Sequence, residues 1–257
     1  MAKSIAICNQ KGGVGKSTTA VNVGSYLALS GKRTLLVDLD PQGIATTACG
    51  ISRKGLKNDS YSVLVNRLPP HEAIQKSPVD LLRVLPASLD LAGAEPFMAN
   101  LEDKERILKR VCEPLRGEYD ILLFDCPPSL GLLTVNALVA ADSTIIPVQC
   151  EYLALEGLNS LMHAVNLIKK NLNPSLRVGG IVLTMTDFRA NLAREVANEV
   201  KQFFKELVFD TSIPRNIRLA ESPSFGKPIC LYDPDSTGAL AYQLLTQEVI
   251  NKEMVVG

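Results

Sequence analysis

Short apolar runs alternate with amphipathic segments along most of the chain. The apolar runs predict strands at residues 5–8, 34–37, 81–85, 121–124, 144–148 and 178–184. Because these runs are continuously apolar, they indicate a sheet that is buried on both faces. Their alternation with helical patterns predicts right-handed strand–helix–strand units. The pattern therefore predicts an α/β fold, a doubly wound and mostly parallel sheet flanked by helices.

The helical patterns are clearest between the predicted strands. Residues 16–30 predict a helix that stops at Gly31, because glycine suits the left-handed position after a helix. Two further amphipathic patterns predict helices over residues 101–115 and 192–207. Residues 50–86 are the least regular, and they predict short helices at the edge of the sheet.

Composition limits the domain count, the partners and the compartment. No repeat or linker divides the chain, so residues 1–257 predict a single domain. Basic and acidic residues number 27 each, and this balance does not by itself favour a polyanion as partner. The six cysteines form no C-x-x-C pair and the two histidines lie far apart, which argues against a structural metal site. Without a signal peptide or a membrane-length apolar run, the chain is expected to be cytoplasmic.

A glycine-rich loop follows the first predicted strand. It consists of Lys11, Gly12, Gly13, Val14, Gly15, Lys16, Ser17 and Thr18. The glycines allow a tight turn whose N–H groups surround an anion, and the start of the next helix adds its positive end. Lys16 is expected to reach the β- and γ-phosphates of ATP, and the Ser17 hydroxyl is expected to ligate Mg²⁺. The loop therefore predicts a nucleotide site.

Two other predicted strands end in aspartates. Asp38 and Asp40 follow the second strand, and Asp125 follows the fourth. Carboxylates at strand ends beside a phosphate loop can orient water or organise the shell of a metal ion. Asp125 is expected to hold Mg²⁺ through water, since Mg²⁺ keeps much of its hydration shell. For Asp40, which precedes Pro41, a plain turn-setting role stays open.

The loop departs from the strict P-loop pattern G-x-x-x-x-G-K-[ST]. Gln10 stands where the first glycine would fall, and a second lysine, Lys11, follows it. This variant resembles the deviant Walker A loop of the ParA/MinD group of P-loop ATPases. In that group the early lysine reaches across a homodimer that sandwiches ATP, and the resemblance implies this role for Lys11. It also implies that Asp40 positions the attacking water and that Asp38 supports the metal side.

The resemblance extends over essentially the whole chain. Residues 184–189, 213–221 and 224–228 are similar to segments of ParA/Soj-type chromosome partition ATPases. For the nucleotide, the resemblance also implies Pro41, Pro214 and Asn216, and it places Pro214 and Asn216 beside the adenine. For DNA, it implies Arg189, Arg218 and Lys227. The implied function is an ATPase switch on the nucleoid. Its dimer would bind double-stranded DNA without sequence preference and drive chromosome or plasmid partition with a ParB-type centromere-binding partner. No helix-turn-helix precedes the ATPase core, so binding to a specific operator is not expected.

Other functions stay open on the sequence alone. A MinD-like ATPase would bind membrane through a basic amphipathic end, whereas residues 248–257 hold one lysine and two glutamates. A nitrogenase-type reductase has the same kind of phosphate loop but would need cysteines that ligate an iron–sulfur cluster, and only Cys126 suits that role. A biotin-pathway synthetase also shares this loop. A positioning ATPase for another large cargo would share every motif. Without the resemblance, the basic residues of segment 187–230 could equally be solvated surface, since that segment contains seven basic and six acidic residues.

Overall fold

The computed structural model describes residues 2–151 and 154–254. Within them, seven strands form one sheet: β1 (Lys3–Ile7), β2 (Thr34–Asp38), β3 (Gln75–Lys76), β4 (Leu82–Leu85), β5 (Ile121–Asp125), β6 (Ser143–Gln149) and β7 (Arg177–Thr184). The strand order is β3-β4-β2-β5-β1-β6-β7, and neighbours are parallel except for β3 and β4. The predicted doubly wound, mostly parallel α/β fold is confirmed.

Helices of very different length connect the strands. The α-helices are α1 (Lys16–Leu29), α2 (Ile44–Ala48), α3 (Ser60–Leu64), α4 (Ala94–Met98), α5 (Ile107–Cys112), α6 (Leu132–Ala140), α7 (Ala154–Asn171), α8 (Asn191–Phe204), α9 (Ile217–Glu221), α10 (Ile229–Tyr232) and α11 (Thr237–Met254). Short 3₁₀ turns occupy Pro70–Glu72, Leu89–Gly93, Lys104–Arg106, Pro114–Gly117, Lys205–Leu207 and Ser222–Phe225. Within the described ranges, none of these helices has the length and apolarity needed to cross a bilayer.

The sheet separates two hydrophobic layers. Ala6 of β1 packs in the layer that contains helices α3 to α8. Its neighbours Ile5 and Ile7 pack in the layer that contains α1, α2, α9, α10 and α11. Every residue of β2 and β5 is buried, as expected of strands covered on both faces.

One local prediction was wrong, and one short strand was missed. The helix expected over residues 101–115 is broken into a 3₁₀ turn, α5 and a second 3₁₀ turn that begins at Pro114. Proline lacks the N–H that would continue α5, and Asp103 has a left-handed φ of 52° before the first turn. Strand β3 was not predicted, because two residues are too few to show a periodicity.

The carboxyl ends of three neighbouring strands bring the predicted site together. In the parallel register Ile7 pairs with Asp125, and Asp125 pairs with Asp38. The chain leaving β1 forms the glycine-rich loop at this same edge and then enters α1. In open α/β sheets ligands bind outside the carboxyl ends of the strands, which makes this edge the candidate site.

Candidate functional site

The loop between β1 and α1 is held in a tight turn. Gly13 and Gly15 have φ values of 76° and 88°, a region that a side chain would strain, whereas Gly12 lies outside it. The Thr184 hydroxyl, at the end of β7, donates to the carbonyl of Val14 at 2.8 Å. Glycine geometry and a neighbouring strand therefore fix the path of the loop together.

Lys16 is buried at the start of α1. Its Nζ donates to the carbonyl of Lys11 at 3.1 Å, so the side chain folds back over the loop. Burial lowers the pKa of the Lys16 ammonium, while the carboxylates of Asp125 and Asp40 raise it. Ser17 follows on the first turn of the helix and is half-buried. A cation at the end of an anion-binding loop suits a phosphate group.

Lys11 points away from this cluster. Its Nζ forms an ion pair with Glu151, which lies two residues beyond β6, and the two side chains are 48% and 47% exposed. Its backbone N–H donates to Oδ1 of Asn9 at 3.0 Å, and Asn9 in turn donates to the carbonyl of Pro147 at 2.7 Å. Sequence reasoning missed Glu151. Its place after the predicted strand 144–148 was the available signal.

Three aspartates stand beside the loop, and their environments differ. Oδ2 of Asp38 accepts two hydrogen bonds from Thr46, from N–H at 2.8 Å and from Oγ1 at 2.7 Å. Oδ1 of Asp38 accepts the N–H of Asp40 at 3.1 Å. Both carboxylate oxygens of Asp125 are buried and make no well-formed hydrogen bond within the described residues, although the nearby Ser17 hydroxyl and Lys16 ammonium lower the pKa of Asp125. Thr46 was not identified from the sequence.

This arrangement fits a hydrated divalent cation. Burial raises the pKa of Asp38 to about 6, against the opposing hydrogen bonds from Thr46. Burial and repulsion from Asp38 raise the pKa of Asp125 well above its usual range. A buried carboxyl group without a partner is costly, and a cation with its bound water would provide both charge and donors. Mg²⁺ suits such a site because it is usually held by one or two carboxylates together with substrate phosphates.

Asp40 shapes a turn and also lies close to the loop. Its Oδ1 accepts the N–H of Gln42 at 2.9 Å, and its carbonyl accepts the N–H of Gly43 at 2.8 Å. The turn-setting role that the sequence left open therefore exists. Its carboxylate is near enough to raise the pKa of Lys16. The carbonyl of Pro41, next along the turn, accepts a hydrogen bond from Arg53 at 3.0 Å.

A cavity of about 160 Å³ opens beside the loop and is lined by Thr18, Pro214, Asn216 and Tyr242, among others. Asn216 also caps α9. Its Oδ1 accepts the N–H of Leu219 at 3.2 Å, and its Nδ2 donates to Thr237 at 2.9 Å. The two residues predicted to border adenine thus share a cavity with the phosphate loop. A larger cavity of about 740 Å³ lies between α3 and α5 and shares no lining residue with it.

The basic residues predicted to bind DNA lie on three separate elements. Arg189 follows β7, with a side chain 91% exposed, and pairs with Asp187 at 2.7 Å. Arg218 on α9 pairs with Glu221 at 3.1 Å and with Asp233 at 3.2 Å. Lys227, just before α10, is exposed. Contact with a DNA phosphate would require both arginines to leave their acidic partners, which costs little for exposed pairs.

The order of the sheet and the loop between β1 and α1 define the class: this is a P-loop nucleotide-binding protein. Residues 2–178 match the family model AAA_31, an AAA domain. The sporulation initiation inhibitor protein Soj of Bacillus subtilis (strain 168) is 52% identical over 249 residues, which cover 97% of this chain and 98% of the relative. The chromosome partitioning protein ParA of Myxococcus xanthus (strain DK1622) is 49% identical over 253 residues, covering 98% and 89%.

A solved structure shows the same fold. Cobyrinic acid a,c-diamide synthase from Mycobacterium smegmatis with bound ADP and magnesium superimposes with a TM-score of 0.85 at 35% identity, covering 98% of this chain and 95% of that one. With the two relatives above, the resemblance predicted from the loop is confirmed. The chain belongs to the AAA_31 family and, within it, to the ParA/Soj chromosome-partitioning ATPases.

Proposed function

We propose that this chain is an ATP-hydrolysing switch that forms a dimer around ATP, binds double-stranded DNA without sequence preference and drives chromosome or plasmid partition. The observation that carries the proposal is the buried Lys16 between the phosphate loop and the carboxylates of Asp40 and Asp125. The cargo is inferred from relatives that are named chromosome partitioning proteins. A ParB-type centromere-binding protein is the proposed partner, and the nucleoid within the cytoplasm is the proposed location.

Within one subunit the proposed roles follow the geometry. The loop 11–18 and Lys16 hold the triphosphate, and Asp40 orients the water that attacks the γ-phosphate. Ser17, Asp38 and Asp125 would hold Mg²⁺, Asp125 through water, and the ion would supply positive charge beside the phosphates. The adenine would occupy the cavity beside the loop that Pro214 and Asn216 line, and Pro41 would also border the nucleotide. Residues 1–257 act as a single ATPase domain.

Lys11 is proposed to serve the nucleotide of the neighbouring subunit. Its side chain lies at the surface of the loop, and within residues 2–151 and 154–254 its ammonium pairs with Glu151. Such an exposed pair contributes at most about 1 kcal/mol. Contact with a phosphate across a dimer would easily exceed that amount, so Lys11 can exchange partners when ATP brings two subunits together.

Lys11→Ala is expected to bind ATP normally as a monomer but to dimerise at least about thirtyfold more weakly. The loss of one charged partner across an interface costs about 2 kcal/mol or more. Light scattering over a range of protein concentrations with ATP measures the effect. The matched control is Lys32→Ala, which lies beyond the far end of α1. A normal ATP-dependent dimer of Lys11→Ala would remove the sandwich model.

DNA binding is proposed to involve Arg189, Arg218 and Lys227 from both subunits of the dimer. If they contact phosphates, the affinity should fall by about 0.9 log unit per log unit of salt for each phosphate neutralised. Each alanine variant is expected to flatten this slope and to weaken binding equally for every duplex sequence. ATP hydrolysis without DNA should be unchanged. The matched control is Arg110→Ala, an exposed arginine that also pairs with a local acid, Asp103 at 3.6 Å.

Titration of fluorescent duplexes at several salt concentrations, with and without ATP, measures the slope. A DNA affinity that does not depend on nucleotide would contradict the proposal. ATP-dependent binding to anionic vesicles in place of DNA would favour the MinD-like alternative.

Against that alternative, α11 is packed into the protein through Tyr242, Leu245 and Val249. Near its end Glu253 is buried, pairs with Arg177 and accepts the Ser143 hydroxyl at 2.8 Å.

A further inference from the structure

A buried threonine supports the carboxylate of Asp38 from the side of α2. The Thr46 hydroxyl is completely buried and lies 2.7 Å from Oδ2 of Asp38. The same hydroxyl accepts the backbone N–H of Ala87 at 2.9 Å. Because that N–H can only donate, the hydroxyl is free to give its single proton to Asp38. The direction of this hydrogen bond is thus set by the protein.

Asp38 and Asp125 differ in the hydrogen bonds that orient their carboxylates. The hydroxyl and N–H of Thr46 both donate to Oδ2 of Asp38, while Oδ1 accepts the N–H of Asp40. These three donors therefore fix the orientation of the Asp38 carboxylate. The opposite residue in the register, Asp125, makes no well-formed hydrogen bond within the described residues, and the Ser17 hydroxyl is the nearby donor that lowers its pKa. Of this pair, Asp38 is the carboxylate that the protein orients in advance.

We propose that Thr46 is a positioning residue, which holds the carboxylate of Asp38 in the orientation that Mg²⁺–ATP requires. This inference rests on the proposed ATPase function. A purely structural role is the competing explanation, because the bond to Ala87 also joins α2 to the end of β4. The Ser60 hydroxyl, on α3, makes a structural link of the same kind beside the ends of β2 and β4, since it donates to the carbonyls of Asp38 at 2.7 Å and Pro86 at 3.0 Å. Thr46 differs from Ser60 in that it reaches the carboxylate itself.

Three variants separate the two roles. Thr46→Val keeps the shape and removes the donor, and Thr46→Ser keeps the donor and removes the methyl group. Thr47→Val is the matched control, since the Thr47 hydroxyl bonds to the carbonyls of Gly43 and Ile44 and to no carboxylate in the part of the chain that the structure describes. The readouts are the affinity for a fluorescent ATP analogue with Mg²⁺ and with EDTA, together with kcat, KM and thermal unfolding.

With EDTA, all three variants are expected to bind the analogue within about twofold of the wild type. The ratio of the affinity with Mg²⁺ to the affinity with EDTA is expected to be about tenfold smaller in Thr46→Val than in the wild type. Its kcat is also expected to fall about tenfold, which is typical when a residue that orients a metal ligand is removed. Thr46→Ser should recover to within about threefold of the wild type. Thr47→Val should behave as the wild type.

A Thr46→Val protein with the Mg²⁺ response of the wild type would overturn the proposal. Equal loss in Thr46→Val and Thr46→Ser would also overturn it, because the methyl group and not the hydroxyl would then be responsible. If Thr46→Val does not fold, Thr46→Cys, which has a similar size and only a weak donor, answers the same question. A wild-type protein that neither binds nor hydrolyses ATP would instead overturn the proposed function.

Discussion

Lys16→Ala is expected to weaken ATP binding by about a hundredfold, which corresponds to about 2.7 kcal/mol. In the folded chain this ammonium is buried against the loop and lies close to two carboxylates. A buried cation that bonds to phosphate oxygens makes a strong charge-assisted contact, and alanine leaves nothing in its place. Titration with a fluorescent ATP analogue in the presence of Mg²⁺ measures the change. Binding within about threefold of the wild type would show that Lys16 does not contact the phosphates.

Asp40→Ala is the informative comparison for that experiment. It removes a carboxylate from the same site, but one that is assigned to the attacking water and not to the phosphates. The variant is therefore expected to bind ATP and to accumulate as a dimer, while its hydrolysis stops. Because the Asp40 side chain also accepts the N–H of Gln42, thermal unfolding must be measured alongside. Hydrolysis at the wild-type rate would remove the role assigned to Asp40.

Asp125→Asn is expected to stabilise the nucleotide-free, Mg²⁺-free protein by about 1–3 kcal/mol at pH 8 and to lower hydrolysis by at least about a hundredfold. The wild-type carboxyl group is buried, is repelled by Asp38 and makes no well-formed hydrogen bond within the described residues, so burial outweighs the opposing effects of Ser17 and Lys16 on its pKa. Asparagine has nearly the same shape and carries no charge. The same change removes the carboxylate that would hold Mg²⁺, so stability and activity should change in opposite directions.

The pH dependence of this gain has a defined sign. Because the pKa of Asp125 is raised in the folded protein, its contribution to stability is complete below the pKa of the unfolded chain. This stabilising contribution is lost as the pH rises from about 4 towards the pKa of Asp125 in the folded protein. The difference in free energy of unfolding between Asp125→Asn and the wild type should therefore grow with pH. Chemical denaturation at several pH values tests this. Asp142→Asn is the matched control and should destabilise, since it removes the negative charge that pairs with Arg116 at 3.7 Å. Constant or negative differences for Asp125→Asn would contradict the argument.

Local chemistry explains why much of the fold could be predicted. A continuous apolar run such as residues 121–124 is buried on both faces wherever it lies, so the run itself predicts a central parallel strand. Gly31 ends α1 as expected, with a φ of 85° and an N–H that bonds to the carbonyl of Ala28 at 2.9 Å. The glycine-rich loop depends on the same kind of local rule. Periodicity failed over residues 101–115, where one proline and one left-handed residue outweigh an apolar pattern.

The side chains that surround the site could not be found in this way. Lys11 and Glu151 are 140 positions apart and meet because β6 lies beside β1. Thr46 and Ala87 are 41 positions apart and meet where β2 lies beside β4. The sequence by itself determined six of the seven strands, the phosphate loop and the aspartates at the strand ends, because each depends on neighbours along the chain. Strand order decided which distant side chains hold those groups, because hydrogen bonds and ion pairs act only over a few ångströms in space.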